Sequence, residues 1–240
     1  MKFHDNYIGN DLSGSISHES GGDSGDRVSP SLDWYYNNVI IEYSYNKFGH
    51  RCKNLEDIDL SNYVLFTGCS HTEGVGLELE KTFSYVTSDI LQCDYYNLAL
   101  GATGIDVLLF NLITWFTTVS ELPRAVVIQW PDISRFSTIA PGSDNIVPNG
   151  TWSSDIQIND YIVADHDCGA SETRAVLTKK IIELVIKCPI FYVTLKSQRL
   201  PDNTSGIQFL KVDLARDLAH FGIKSNEILA AELANSIKTI

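Results

Sequence analysis

Tyr63 to Leu79 reads YVLFTGCSHTEGVGLEL. Tyr63–Thr67 is a short run of apolar and β-branched residues without polar alternation, the pattern of a strand buried on both faces of a parallel sheet. It runs directly into a turn, Gly68-Cys69-Ser70, with further glycines at Gly74 and Gly76. Glycine permits positive φ and close approach of another group, which suits a turn that presents a reactive side chain.

Working outward, the pattern alternates. Glu80–Leu91 reads as a helix, Asp94–Leu100 as a strand, Gly104–Val119 as a helix and Ala125–Trp130 (AVVIQW) as a strand. Ser171–Lys187 reads as a helix with a Ser cap, Pro189–Leu195 and Ile207–Val212 as strands, and Ser225–Lys238 as a terminal helix. Strands alternating with helices imply right-handed crossovers and a mostly parallel central sheet covered on both faces, an α/β fold. In such sheets sites form beyond the carboxyl ends of strands, where Ser70, Gly101 and Trp130 all fall. Trp34–Tyr45 (WYYNNVIIEYSY) reads as one or two strands or an edge hairpin.

The far end of the chain carries Asp217-Leu218-Ala219-His220. A serine hydroxyl is a weak nucleophile until an imidazole takes its proton and a carboxylate fixes the imidazole tautomer. Ser70, His220 and Asp217 supply the three types, and a spacing of three on a helical turn puts Asp217 and His220 on one side. Asp213 is a competing carboxylate. His71 adjoins Ser70 and lines the expected pocket, whereas His4, His18 and His50 lie outside the last block.

Four segments occur in the order of a known family. Gly68-Cys69-Ser70-His71-Thr72-Glu73-Gly74 resembles a Gly-Asp-Ser block, with Cys69 at the usual Asp position. Asn97-Leu98-Ala99-Leu100-Gly101-Ala102-Thr103-Gly104 resembles the second block, and Asp217-Leu218-Ala219-His220 the last. Asn46-Lys47-Phe48-Gly49-His50-Arg51 is similar to an Asn-x-x-Gly-x-Arg stretch that precedes the first block in some subgroups. Together they resemble the SGNH (GDSL-type) hydrolase superfamily, in its variant subgroup with Gly-Cys-Ser in the first block. The resemblance covers Tyr45 to the C-terminus and implies a three-layer α/β/α, flavodoxin-like fold.

The resemblance also implies roles. Ser70 would attack the carbonyl of an oxygen ester, His220 would act as base and then acid, and Asp217 would orient it. The backbone N–H groups of Ser70 and Gly101 would form the oxyanion hole, with Gly104 the alternative to Gly101. The family places an Asn after the third strand; here the region reads Gln129-Trp130-Pro131-Asp132-Ile133-Ser134-Arg135. Gln129 is the candidate substitute amide, since ionised Asp132 is an acceptor only. Trp130 and Arg135 match the variant subgroup and, with His71, are the candidate substrate-binding residues. The expected activity is an esterase or deacetylase, on a small-molecule or glycan ester. The alternative is a weak or inactive SGNH-like binding or structural module, in which the missing Asn leaves the oxyanion hole incomplete. No metal or organic cofactor is implied.

Composition narrows the partners. The formal charge of −12, with no basic patch, argues against nucleic acid or an anionic membrane surface. There is no apolar run of spanning length and no basic-then-apolar opening, so the expectation is a soluble, cytoplasmic protein. The five cysteines have no Cys-x-x-Cys spacing, which argues against a disulfide framework. Residues 1–31 are rich in Ser, Gly and Asp and read as a flexible arm whose functional alternative is a contact in a homo-oligomer or larger assembly; residues 32–240 read as one domain. Asp165-His166-Asp167-Cys168 offers four ligand types, but adjacent side chains diverge, so it reads as a surface loop and not a metal site.

Overall fold

The computed structural model describes residues 14–17, 35–139, 146–153, 155–195, 200–201 and 206–240. In chain order, β1 (Gly14–Ser17) pairs antiparallel with β2 (Glu42–Tyr45), apart from the main sheet. Then come β3 (Tyr63–Thr67), α1 (Ser70–Glu73), α2 (Phe83–Leu91), β4 (Asp94–Asn97) and α3 (Ile105–Thr118). β5 (Ala125–Gln129) precedes a hairpin of β6 (Phe136–Ile139) and β7 (Ile146–Asn149), and α4 (Ile156–Asp167) leads into α5 (Ala170–Val185). β8 (Ile190–Leu195), β9 (Ile207–Phe209) and α6 (Ile223–Lys238) complete the chain.

The central sheet has five strands in the order β4-β3-β5-β8-β9, and every pairing in it is parallel. Written from its first strand this is 2-1-3-4-5, the flavodoxin-like order, whose topological switch point lies between β3 and β5. The reason is legible in the residues: β3 and β5 are buried along their whole lengths, as central strands covered on both faces must be. α2 packs on α6, and α3 on α5, so helix pairs flank the sheet. Phe66, Phe83, Phe209 and Leu233 belong to one continuous core with Trp115 and Ile128. A smaller apolar cluster, Tyr36, Ile41, Tyr43, Tyr45, Leu77 and Ala215, joins the β2 region to the turn after α1 and to the segment before α6.

Several expectations change in detail. The aromatic stretch 34–45 yields a short 3-10 turn, Tyr35–Asn38, and one strand, β2, whose partner β1 falls inside the expected N-terminal arm. The rest of that arm lies outside the described residues. Asp165-His166-Asp167 is not a loop but the last turn of α4, and the Asp165 carboxylate is buried against the Arg174 guanidinium through bonds of 2.6 and 2.9 Å. The helix escapes notice in the sequence because Asp165 is its one buried residue, so no apolar stripe marks it. Asp213, the competing carboxylate, caps α6 from outside: it accepts from the Lys224 and Ser225 amides and the Ser225 hydroxyl. Among the described residues no helix is long and apolar enough to cross a membrane.

Candidate active site

The nucleophile turn follows β3 at the switch point and is held tightly. A Cβ on Gly68 would come within 2.4 Å of Thr72 Oγ1 and 2.9 Å of Gln129 Cβ, so only glycine lets β3 turn into α1 beside β5. Gly74 ends α1 at φ 86°, in the left-handed region, and a Cβ there would lie 2.2 Å from Thr82 Cγ2. Asn97, at the end of β4, donates to Thr72 O at 2.8 Å and ties the second block to the first.

The Asn46–Arg51 stretch, to which the sequence assigns no role, supports this turn. Asn46 Oδ1 accepts from the Phe48 and His50 amides and its Nδ2 donates to Lys53 O and Tyr96 Oη, which fixes the loop. The Arg51 side chain is then buried at 1% exposure, over the Tyr43 ring at 4.2 Å, and donates to Gly74 O at 2.6 Å and Leu77 O at 2.7 Å. A guanidinium placed there bridges two carbonyls of the glycine-rich turn, and Gly74 O also accepts the Leu77 amide at 3.2 Å.

Ser70 stands at the first position of α1, and its Oγ is 2.7 Å from His220 Nε2. His220 Nδ1 is hydrogen-bonded to Asp217 Oδ2. Asp217 is fully buried, and its other oxygen accepts from the Ala219 amide at 3.0 Å and the His220 amide at 2.9 Å. Leu218 takes φ 58° to close this turn. Burial pushes the Asp217 carboxyl up, but the bonds from the His220 ring and from both amides outweigh it and hold its pKa below the ordinary value. The sequence thus brings the three residues together through one parallel strand and one tight turn 150 positions apart.

His71 lies beside Ser70, as expected, but its ring backs the site: it meets the His220 and Phe221 rings, both at 4.7 Å, and the Phe209 ring at 5.8 Å. Burial, with the charges of His220 and Arg135 adding to it, lowers the His71 pKa to about 3, so the ring is neutral in water near pH 7.

Three expected contributors sit differently. Gln129 is fully buried; its Nε2 donates to Trp130 O at 2.8 Å and its Oε1 accepts from the Cys69 amide and thiol. Its amide braces the back of the nucleophile turn, because the side chain of the last β5 residue faces the neighbouring strand end. Gly101 is near Ser70, a Cβ there standing 3.8 Å from Ser70 Cβ, but its N–H donates to the Glu73 carboxylate. Glu73 is buried one turn after Ser70 and needs such donors; Tyr45 Oη supplies another at 3.0 Å. Burial raises the Glu73 pKa, and Arg51, Tyr45 and the Gly101 amide oppose the rise. Trp130 is fully buried, edge-on to Tyr192 at 5.9 Å, so it fills the core between β5 and β8 and offers no open face. The N–H groups of Ser70 and Gly104 have no acceptor among the described residues. Arg135 is half-buried, with its guanidinium 4.9 Å from the centre of the Trp152 ring. Among the described residues no three His, Cys, Asp or Glu side chains gather so as to hold a metal ion.

Neither a protein-family model nor a curated protein matches this sequence. Solved structures do. A family 2 carbohydrate esterase with a carbohydrate-binding domain from Corynascus thermopiles (Myceliophthora fergusii) aligns at 15% identity and TM-score 0.48, over 74% of this chain and 66% of its own. The acetyl xylan esterase Est2A of the rumen bacterium Butyrivibrio proteoclasticus aligns at 12% identity and TM-score 0.46, over 75% and 64%. A member of the lipolytic G-D-S-L family from Veillonella parvula aligns at 9% identity and TM-score 0.35, over 74% and 71%. The chain spans just under two thirds of the length of the two carbohydrate esterases, at 66% and 64%.

Proposed function

We propose that the protein is a serine hydrolase of the SGNH type, in the Gly-Cys-Ser variant, that cleaves an oxygen ester of a small molecule or glycan. The observation that carries this reading is the unbroken relay from Ser70 Oγ through His220 Nε2, at 2.7 Å, to the buried Asp217 carboxylate on Nδ1. A serine poised on an imidazole whose far nitrogen is fixed by a carboxylate is chemically equipped for acyl transfer.

In the first step Ser70 Oγ attacks the ester carbonyl while His220 Nε2 takes its proton. Collapse of the tetrahedral intermediate breaks the carbonyl–oxygen bond to the alcohol, which leaves with the proton returned by His220. Water then attacks the acyl-serine under the same base and releases the acid. Asp217 holds Nδ1–H and stabilises the transient imidazolium. The oxyanion would be met by the Ser70 N–H and, as the second donor, the Gly104 N–H; the neutral His71 ring limits how far His220 can tilt.

A second reading, an SGNH-like binding or structural module, is favoured by one specific feature: both Gln129 and Gly101, the expected donors, are engaged elsewhere. Loss of an oxyanion donor lowers turnover by roughly 10²–10³. Hydrolysis of 4-nitrophenyl acetate by wild type and Ser70→Ala separates the two. The esterase reading expects Ser70→Ala to remove up to about 10⁶ in turnover. Equal background rates for both proteins, on aryl acetates and acetylated sugars alike, leave only the module.

A further inference from the structure

Arg135 follows β5, and its backbone packs on the loop that carries Gly101 and Gly104. Its carbonyl lies against Gly104, where a Cβ would come within 2.6 Å of it. Gly104 is in the same loop as Gly101, whose Cβ would stand 3.8 Å from Ser70 Cβ. The Arg135 charge also reaches His71, next to Ser70, where it adds to burial and to His220 in lowering the imidazole pKa.

The side chain is held but unpaired. Trp152 lies under the guanidinium at 4.9 Å, an arrangement that fixes its plane without using its donors. None of its N–H groups meets an acceptor among the described residues, and Nη1 is closed off from solvent. Asp132, three residues back, and Asp106, beside Gly104, serve other groups: Asp132 Oδ1 accepts from the Ser134 amide and hydroxyl, and Asp106 from the Val107 and Ser137 amides. In a chain of formal net charge −12, an arginine with no carboxylate partner among the described residues is the local exception.

We propose that Arg135, laid on Trp152, is the subsite for a carboxylate carried by the ester substrate. A planar guanidinium fork matches a carboxylate through two parallel N–H···O bonds, and Nε with Nη2 is the edge available for this, since Nη1 is closed off from solvent. The acidic surface repels anions in general, so the cationic spot would act as a selective register for substrates whose carboxylate falls at this distance from the ester. This inference rests on the Ser70 esterase reading for its kinetic arm alone.

The carboxylate could sit on the acyl or the alcohol side of the ester, and two substrate pairs tell these apart. One is 4-nitrophenyl hemisuccinate against 4-nitrophenyl acetate; the other is an O-acetylated methyl glucuronoside against the O-acetylated methyl glucoside. In one pair the wild type should favour the anionic member in kcat/KM by roughly tenfold to a hundredfold, the range for a hydrogen bond to a charged group. Arg135→Gln should bring that ratio close to one, Arg135→Lys should retain part of it, and added salt should shrink it in the wild type. A binding arm needs no turnover: Ser70→Ala protein titrated calorimetrically with methyl glucuronoside and with monomethyl succinate should bind one of them, and the added Arg135→Gln should abolish this while thermal unfolding remains cooperative. If the wild type matches Ser70→Ala on every ester yet the carboxylate binds through Arg135, the esterase reading fails and the subsite stands. Ratios and binding unchanged in Arg135→Gln, or no anionic preference and no binding in either arm, overturn the subsite.

Discussion

Replacing Asp217 by Asn tests the relay at its buried end, and the outcome can be worked from the contacts. One carboxylate oxygen accepts two amides, Ala219 at 3.0 Å and His220 at 2.9 Å, while the other holds His220 Nδ1. An Asn has one acceptor oxygen for these three donors. Turned toward the amides, it sets its NH₂ against Nδ1, which must then accept; the ring proton moves to Nε2, and Nε2–H donates to Ser70 Oγ when it should receive. Turned the other way, it keeps the tautomer but points NH₂ at two part-buried N–H groups. Leaving each unpaired costs up to about 1–3 kcal/mol, so the productive orientation is disfavoured by up to about 2–6 kcal/mol. At ~1.4 kcal/mol per decade this lowers kcat/KM by roughly 30-fold to 10⁴-fold, in keeping with the ~10⁴ loss expected for a wrong imidazole tautomer. The assay is steady-state hydrolysis of an aryl acetate at pH 7–8, with urea unfolding as the control for fold. The control carries its own sign: because the folded Asp217 carboxyl lies below its ordinary value, its contribution is present above about pH 4 and lost as pH falls through the folded pKa, so the variant should have a flatter acid limb. A folded Asp217→Asn protein within threefold of wild-type kcat/KM would refute the relay.

Two further outcomes follow from the supports of the site. Arg51→Met removes the donor to Gly74 O and Leu77 O, leaving Gly74 O with the Leu77 amide alone and Leu77 O without this donor, and should destabilise the protein by about 1–3 kcal/mol while lowering kcat more than it raises KM; a change in urea stability below about 0.5 kcal/mol would show that the clamp does not hold the turn. His71 is neutral in the folded protein down to about pH 3 but protonates near 6.5 when unfolded, so between those values the unfolded state binds the extra proton and stability falls with acidification, by at most ~1.4 kcal/mol per pH unit from this group. His71→Gln should remove that share of the slope in unfolding midpoints measured from pH 7 to 4, leaving the share of His50, whose burial likewise lowers its pKa to about 3; superimposable slopes would contradict it.

Much of the architecture is written locally. The unbroken run Tyr63–Thr67 reads as a buried strand, and the alternation of such runs with helices points to a parallel sheet whose strand ends gather the loops. The Gly68-Cys69-Ser70 turn and the Asp217-to-His220 spacing are also local, because a turn and an i,i+3 pair depend on neighbours in the chain. What the sequence could not decide is which polar group already has a partner. Gln129 is engaged by Cys69, 60 residues away, and Gly101 by Glu73, which lies in another block. Trp130 reads as a candidate substrate-binding residue and is core, Asp213 reads as a rival acid and is a helix cap, and Arg51 reads as a motif without a task until its guanidinium meets Gly74 and Leu77 across the fold. The physical reason is the same throughout. Periodicity and backbone preference act over a few residues, whereas satisfying a buried donor or charge is settled by whichever strands and helices the tertiary structure brings within about 3 Å.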